Sequence, residues 1–223
     1  MMRVCALPYN ASTLSLGGNS MSYLRNSPFN EKDFPAFAAM REQIGFLPNF
    51  YAAQTPRPDL IEAEVALMGT ILLKDGGLSR KQKEYIFLVT SAANLSTYCV
   101  TAHCEMVRML KIEGPEPEQI AIDHVHAKIA MSDKALLNFC AKFNKQPSKT
   151  TANDIETLRT YGFTEQQILE AVVIVGFAQF ANTVAFGLGT VPDFHNAKIK
   201  AALGEGEGAG QKAVQETPVA SQP

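Results

Sequence analysis

A thiol, an imidazole and a carboxyl group lie in one run of this chain, EYIFLVTSAANLSTYCVTAHCEMVRML, residues 84–110. His103 follows Cys99 by four positions, and Glu84 precedes Cys99 by fifteen. On a helix, positions four apart share a face, so the thiol and the imidazole come within mutual reach. An imidazole can take the thiol proton, and the thiolate is the nucleophilic form. A carboxylate can orient that imidazole and bias its tautomer. These are the parts of a thiol-based active site. Each residue alone has a plainer reading. A single Cys in an apolar helix is usually a small buried hydrophobe, a single His is usually structural, and Ser96 reads first as a helix cap. The combination is what points to chemistry.

The elements that must hold these groups can be read from the same run. Asn94 and Ser96 interrupt the apolar pattern, and a second helical pattern begins at Thr97. With Ser96 as N-cap, Cys99 falls at the third helical position. The unpaired N–H groups and dipole of a helix start favour an anion there, which predicts a lowered pKa for Cys99. Ser96, Cys99 and His103 also follow i, i+3, i+7 spacing, one stripe of the helix.

With the spacing established, residues 84–103 resemble the active-site segment of the AhpD-like alkylhydroperoxidase branch of the carboxymuconolactone decarboxylase superfamily. That family carries a Glu, then Cys-x-x-Cys about a dozen residues on, then His four residues after the second Cys. Glu84, Cys99 and His103 match its Glu, second Cys and His, and Asn94 and Tyr98 match common family residues. GLSRKQKEYIFLVTSAAN (77–94) is similar to the helix leading into the motif. YGFTEQQILEAVVIVGFAQFANTVAFGLGTVPD (161–193) is similar to the closing helix of "peroxidase-related" members. The resemblance covers about residues 30–194. It implies an all-α, AhpD-like helical fold, homo-oligomers, and peroxide attack by Cys99 with His103 and Glu84 handling protons and Ser96 and Tyr98 in support.

The chain departs from the family at one position. Ser96 stands where the family's first Cys resolves the sulfenic acid, and a Ser cannot form that disulfide. The expectation is a one-cysteine variant that uses an external thiol reductant. Cys104 is five positions after Cys99, with its Cα about 8 Å away on a regular helix, beyond ordinary disulfide reach. Cys5 and Cys140 show no spacing pattern with the others. Such scattered thiols suit a reducing, cytoplasmic setting.

The remaining helices follow from periodicity and punctuation. Patterns run from Lys32 to Gln43, from Asp59 to Leu73 after Pro58, and from Ser79 into the motif. Others cover 118–129, 132–145 and 151–160, and Thr164 opens a last helix that Gly187, Gly189 and Pro192 end. No run alternates with period two, so no sheet is expected. Residues 1–29 hold no Asp or Glu and read as a poorly ordered leader that weakly resembles a transit peptide. Residues 30–200 read as the helical domain. Residues 201–223, rich in Gly, Glu and Gln, read as a disordered tail. Asn10-Ala-Ser12 is a glycosylation sequon with no other sign of secretion.

Composition excludes other classes. A net charge of −2 gives no electrostatic basis for binding nucleic acid or an anionic membrane. The longest apolar run, ILEAVVIVGFAQF (168–180), contains Glu170 and is shorter than a membrane span. Cys99, His103, Cys104 and Glu84 are possible zinc ligands by type, but His103 and Cys104 are adjacent and diverge on a helix, and no CxxC or HExxH pattern is present. No GxGxxG or P-loop pattern is present either, so no cofactor is expected. His124 and His126 lie in a polar stretch and read as solvated. Three functions fit: a thiol peroxidase with a hydroperoxide substrate, a cofactor-free decarboxylase-like lyase using His103 or Glu84 as base, and a non-catalytic helical assembly protein.

Overall fold

The computed structural model describes residues 21–24 and 29–204. The described secondary structure is helical throughout, with no strand among the described residues. Ten α-helices run in order: α1 Pro35–Ile44, α2 Asn49–Ala52, α3 Pro58–Met68, α4 Arg80–Ala93, α5 Thr97–Met109, α6 Pro117–Asp123, α7 Met131–Lys145, α8 Ala152–Thr160, α9 Glu165–Leu188 and α10 Ala197–Leu203.

Local chemistry sets where they begin. Pro35, Pro58 and Pro117 sit in first turns, where a missing N–H leaves nothing unpaired. Ser79, Thr151 and Thr164 form capping boxes with Gln82, Asp154 and Gln167, so two backbone donors are satisfied reciprocally at each start.

The centre of the fold is α4. Every residue from Lys83 to Ala92 is buried, the pattern of a helix covered on all sides. α5, α6, α7 and α9 pack against it. The turn from α4 into α5 is a Schellman motif: Leu95 N–H donates to Ala92 O (3.0 Å) and Ser96 N–H to Ser91 O (2.9 Å), with Leu95 left-handed at φ 61°. It folds α5 back along α4, which brings Glu84 and His103 to one level. An amide cluster stiffens this corner: Asn94 Nδ2 donates to Asn182 Oδ1 on α9 (2.8 Å), Asn144 Nδ2 on α7 to Asn94 Oδ1 (2.8 Å), and Asn182 Nδ2 to Ser91 Oγ (3.0 Å).

At the other end of α4, α9 holds the preceding loop. Glu170 accepts the Gly77 and Leu78 N–H groups at 2.7 and 2.9 Å, and Gln167 Nε2 donates to Gly77 O at 2.8 Å. The charge that interrupts the apolar run of α9 is thus a backbone clamp.

Several boundaries differ from expectation for physical reasons. The helix expected from Lys32 starts at Pro35, after a 3₁₀ turn at Glu31–Asp33, because the residue before a proline is driven out of helical conformation; Phe34 is extended. The helix expected to reach Leu73 becomes a π turn over Gly69–Leu73. The helix expected over 118–129 stops at Asp123, whose carboxylate takes a local bond from His126 Nδ1 (2.8 Å). α9 continues past the apolar run to 24 residues, so by length and composition it is a helix that could cross a membrane. Its inner residues Ala171, Ile174, Val175, Ala178 and Ala185 are fully buried against α4, α5 and α7, which makes it a core helix.

α10 runs through the domain end expected at residue 200. Asn196 Oδ1 accepts from Ile199 N at its start, and Ile199 is fully buried beside α5 and α6. Residues 205–223, most of the leader, Cys5 and the sequon lie outside the described residues. Within the leader, Tyr23 N–H donates to Leu188 O (2.6 Å) and its ring covers Gly189, the left-handed cap of α9.

Candidate active site

Glu84 lies on the second turn of α4 with no solvent exposure. Its two oxygens are divided between two partners. His103 Nδ1 is 2.6 Å from Oε2, and Arg80 Nε donates to Oε1 at 2.7 Å. Burial pushes the carboxyl up, but the charges and hydrogen bonds of His103 and Arg80 outweigh it and hold the group below the usual glutamate range. Glu84 is therefore a carboxylate. It fixes His103 through Nδ1 and leaves Nε2 with no hydrogen bond among the described residues. The imidazole also stacks on Phe87, with ring centroids 3.8 Å apart and 19° between planes. One edge is bonded and one face is covered, so the ring has a single orientation.

Cys99 is one turn before His103 on α5, at the third helical position as expected. It is buried at 4% exposure. Two phenols, Tyr51 and Tyr98, lie within electrostatic range of it. Burial foremost, then the Glu64 and Cys99 charges, pushes Tyr51 up, and burial, Asp193 and Cys99 do the same to Tyr98. Tyr98 is a strut in this arrangement. Its hydroxyl donates to Asp193 Oδ2 (2.6 Å) and accepts the Phe50 N–H (2.9 Å), and Asp193 Oδ1 accepts the Asn49 N–H (3.0 Å). The first turn of α5 is thereby tied to α2 and to the loop after α9.

Ser96 is the N-cap residue of α5 and fully buried, but its hydroxyl makes no capping bond. The expected side-chain cap is corrected accordingly. Cys104 and Cys140 are also fully buried free thiols, and burial pushes both up. Among the described residues, no three His, Cys, Asp or Glu side chains converge as a metal would require. His124 bonds Asn138 Oδ1 and His126 bonds Asp123, both at the surface and away from the site.

Three residues near the site were not singled out from sequence. Arg80 had a signal, since it lies four positions before Glu84 in the same helical pattern. Phe87 looked like ordinary core. Asp193 is ninety-five positions from Tyr98, and nothing local announces that pairing.

The carboxymuconolactone decarboxylase family model matches residues 58–131, from the start of α3 through the α4–α5 hairpin to the start of α7. A comparison with curated proteins finds no match. Solved structures agree with the family model. An uncharacterized peroxidase-related protein from Ralstonia eutropha JMP134, described as an alkylhydroperoxidase AhpD core, is 29% identical, with 82% of this chain and 96% of that one covered at a TM-score of 0.72. A peroxidase-related protein from Silicibacter sp. TM1040 is 25% identical, with 81% and 95% covered and the same TM-score. The debrominase Bmp8, in complex with 2,3,4-tribromopyrrole, shares the fold at 20% identity, with 80% and 97% covered and a TM-score of 0.65. The family model over residues 58–131 and the two peroxidase-related neighbours together support an AhpD-like relationship within the carboxymuconolactone decarboxylase superfamily.

Proposed function

We propose that the protein is a thiol-dependent peroxidase of one-cysteine type, with Cys99 as nucleophile. The observation that carries this reading is the 2.6 Å bond between His103 Nδ1 and buried Glu84. It holds an imidazole with Nε2 available one turn after the only motif thiol on that face of α5. His103 takes the Cys99 proton. The thiolate attacks the terminal oxygen of a hydroperoxide; the S–O bond forms and the O–O bond breaks. The leaving alkoxide or hydroxide takes the proton back from His103, giving an alcohol or water and Cys99 sulfenic acid. One external thiol then condenses with the sulfenic acid to a mixed disulfide and water. A second releases the Cys99 thiol and an external disulfide.

Site-resolved mass spectrometry after peroxide treatment tests this. Cys99 should gain one oxygen, lose it on adding a small thiol, and Cys99→Ser should consume no peroxide. Peroxide consumption in Cys99→Ser would sink the proposal. Turnover of a lactone or β-keto acid that survives thiol alkylation would favour the lyase chemistry instead.

A further inference from the structure

A cleft adjoins the site through Arg80. The π turn ending α3, the loop 74–79 and the start of α4 enclose a cleft of about 320 Å³, lined in part by Asp75, Gly76, Gly77, Arg80 and Lys83. Lys83 is 2% exposed, unusual for an ammonium group. Its Nζ donates to Lys74 O at 2.9 Å. An ammonium has three donors, and the other two meet no acceptor among the described residues. Arg80 reaches the same cleft with its side chain 29% exposed while bonding Glu84 through Nε and Nη2. Gly76 and Gly77 leave the loop wall without side chains, because a Cβ at either would strike Glu170 or Gln167 on α9.

The carboxylates in the neighbourhood do not fill this demand. Asp75 lines the rim and is exposed. Glu170 faces Lys83 with its charge but gives its hydrogen bonds to the Gly77 and Leu78 N–H groups and to Gln166 Nε2. Glu84 lies beyond Arg80 and is shared with His103. Three cationic residues, Lys74, Arg80 and Lys83, therefore line a cleft that has Asp75 at its rim and the Glu170 carboxylate behind Gly76 and Gly77. A buried ammonium with open donors in a cleft is a site for a charge-assisted acceptor.

We propose that this cleft binds a compact oxyanion, a phosphate or carboxylate group, between Lys83 Nζ and the Arg80 guanidinium. Such a ligand competes with Glu84 for Arg80, so occupancy also reaches the Glu84–His103 pair. Anion binding in the cleft does not depend on the chemistry of Cys99.

The test is an NMR titration of the full-length protein with inorganic phosphate, and separately with acetate, at constant ionic strength set by NaCl. The amides of residues 76–79 and the Arg80 Nε–H should shift saturably. Saturation by both anions supports a general oxyanion site, and saturation by phosphate alone supports one selective for the higher charge. Lys83→Met keeps the buried stem and removes the charge; it should weaken binding by about tenfold or more, the size of one charge-assisted hydrogen bond. Asp75→Asn, an exposed change that leaves the core alone, should tighten it. No saturable shift with either anion overturns the proposal, as does unchanged affinity in a folded Lys83→Met protein or weaker affinity in Asp75→Asn.

Discussion

A carboxylate with no solvent exposure, such as Glu84, loses several kcal/mol of hydration, and only well-placed partners offset that. Arg80 and His103 are those partners, each at hydrogen-bond distance. Both His103→Ala and Glu84→Gln should slow alkylation of Cys99 at neutral pH by about 10²-fold or more, the range of general-base effects. Site-resolved mass spectrometry measures this without interference from other thiols, and unchanged rates in both variants would remove the relay. Glu84 also has a pH signature. Its folded pKa is depressed, so its contribution to stability is present above the unfolded value of about 4.3 and lost as pH falls through the lower folded value. The stability gap between wild type and Glu84→Gln should accordingly shrink in acid. Ser96 gives a third residue-scale expectation. Ser96→Cys restores the family's resolving thiol, and because the Ser96 hydroxyl does not cap α5, the change forfeits little of the ~1 kcal/mol that a lost Ser cap usually costs. After peroxide it should show a dithiol-reducible disulfide between positions 96 and 99, whereas wild type should show none to Cys99. The one-turn separation of Cys99 and His103 was legible in sequence because helix spacing alone sets it. Tyr98's bond to Asp193 was not, because it depends on how α9 ends.

At the scale of elements, the α4–α5 turn decides whether His103 meets Glu84. Leu95 holds a left-handed conformation with 57% of its surface exposed. A β-carbon there costs roughly 1 kcal/mol that glycine avoids, and little packing would be lost. Leu95→Gly should raise stability by up to about 1 kcal/mol in urea unfolding at unchanged m-value. Destabilisation would mean that the Leu95 side chain contributes more than its exposure suggests. The capped helices were readable because Ser79, Thr151 and Thr164 announce themselves three residues before Gln82, Asp154 and Gln167. α10 was not, because it is seven residues long and stands on Asn196 and the docking of Ile199. In isolation so short a helix is unstable, and its sequence runs without a break into the Gly- and Glu-rich tail. The π turn after α3 escaped for a related reason: local propensity does not separate it from one more turn of α-helix.

At the scale of the whole molecule, one face of the longest helix is left uncovered among the described residues. Leu169, Val173 and Phe180 on α9 are 63%, 38% and 45% exposed. With Gly176 and Thr183, also exposed, they follow i, i+4, i+7, i+11, i+14 spacing, one stripe without a charge. Scattered exposed apolar residues are ordinary, but an aligned, uncharged stripe is the mark of an interface. We propose that a second copy of the chain covers it. The stripe is arranged about Gly176, with Val173 on one side and Phe180 on the other. An antiparallel crossing of two α9 helices at Gly176 would set Phe180 of each copy against Val173 and Gly176 of the other, the self-complementary contact of a two-fold dimer. The absence of a Cβ at Gly176 allows the helices to approach closely. Size-exclusion chromatography with light scattering should show an oligomer at micromolar concentration. Phe180→Glu should shift it to monomer while circular dichroism keeps its helical signal, because the stripe lies outside the α4-centred core. Leu110→Glu, an exposed apolar position on another helix end, should leave the oligomer intact. A monomeric wild type, or an oligomer unaffected by Phe180→Glu, would show that α9 is not the surface that joins the copies.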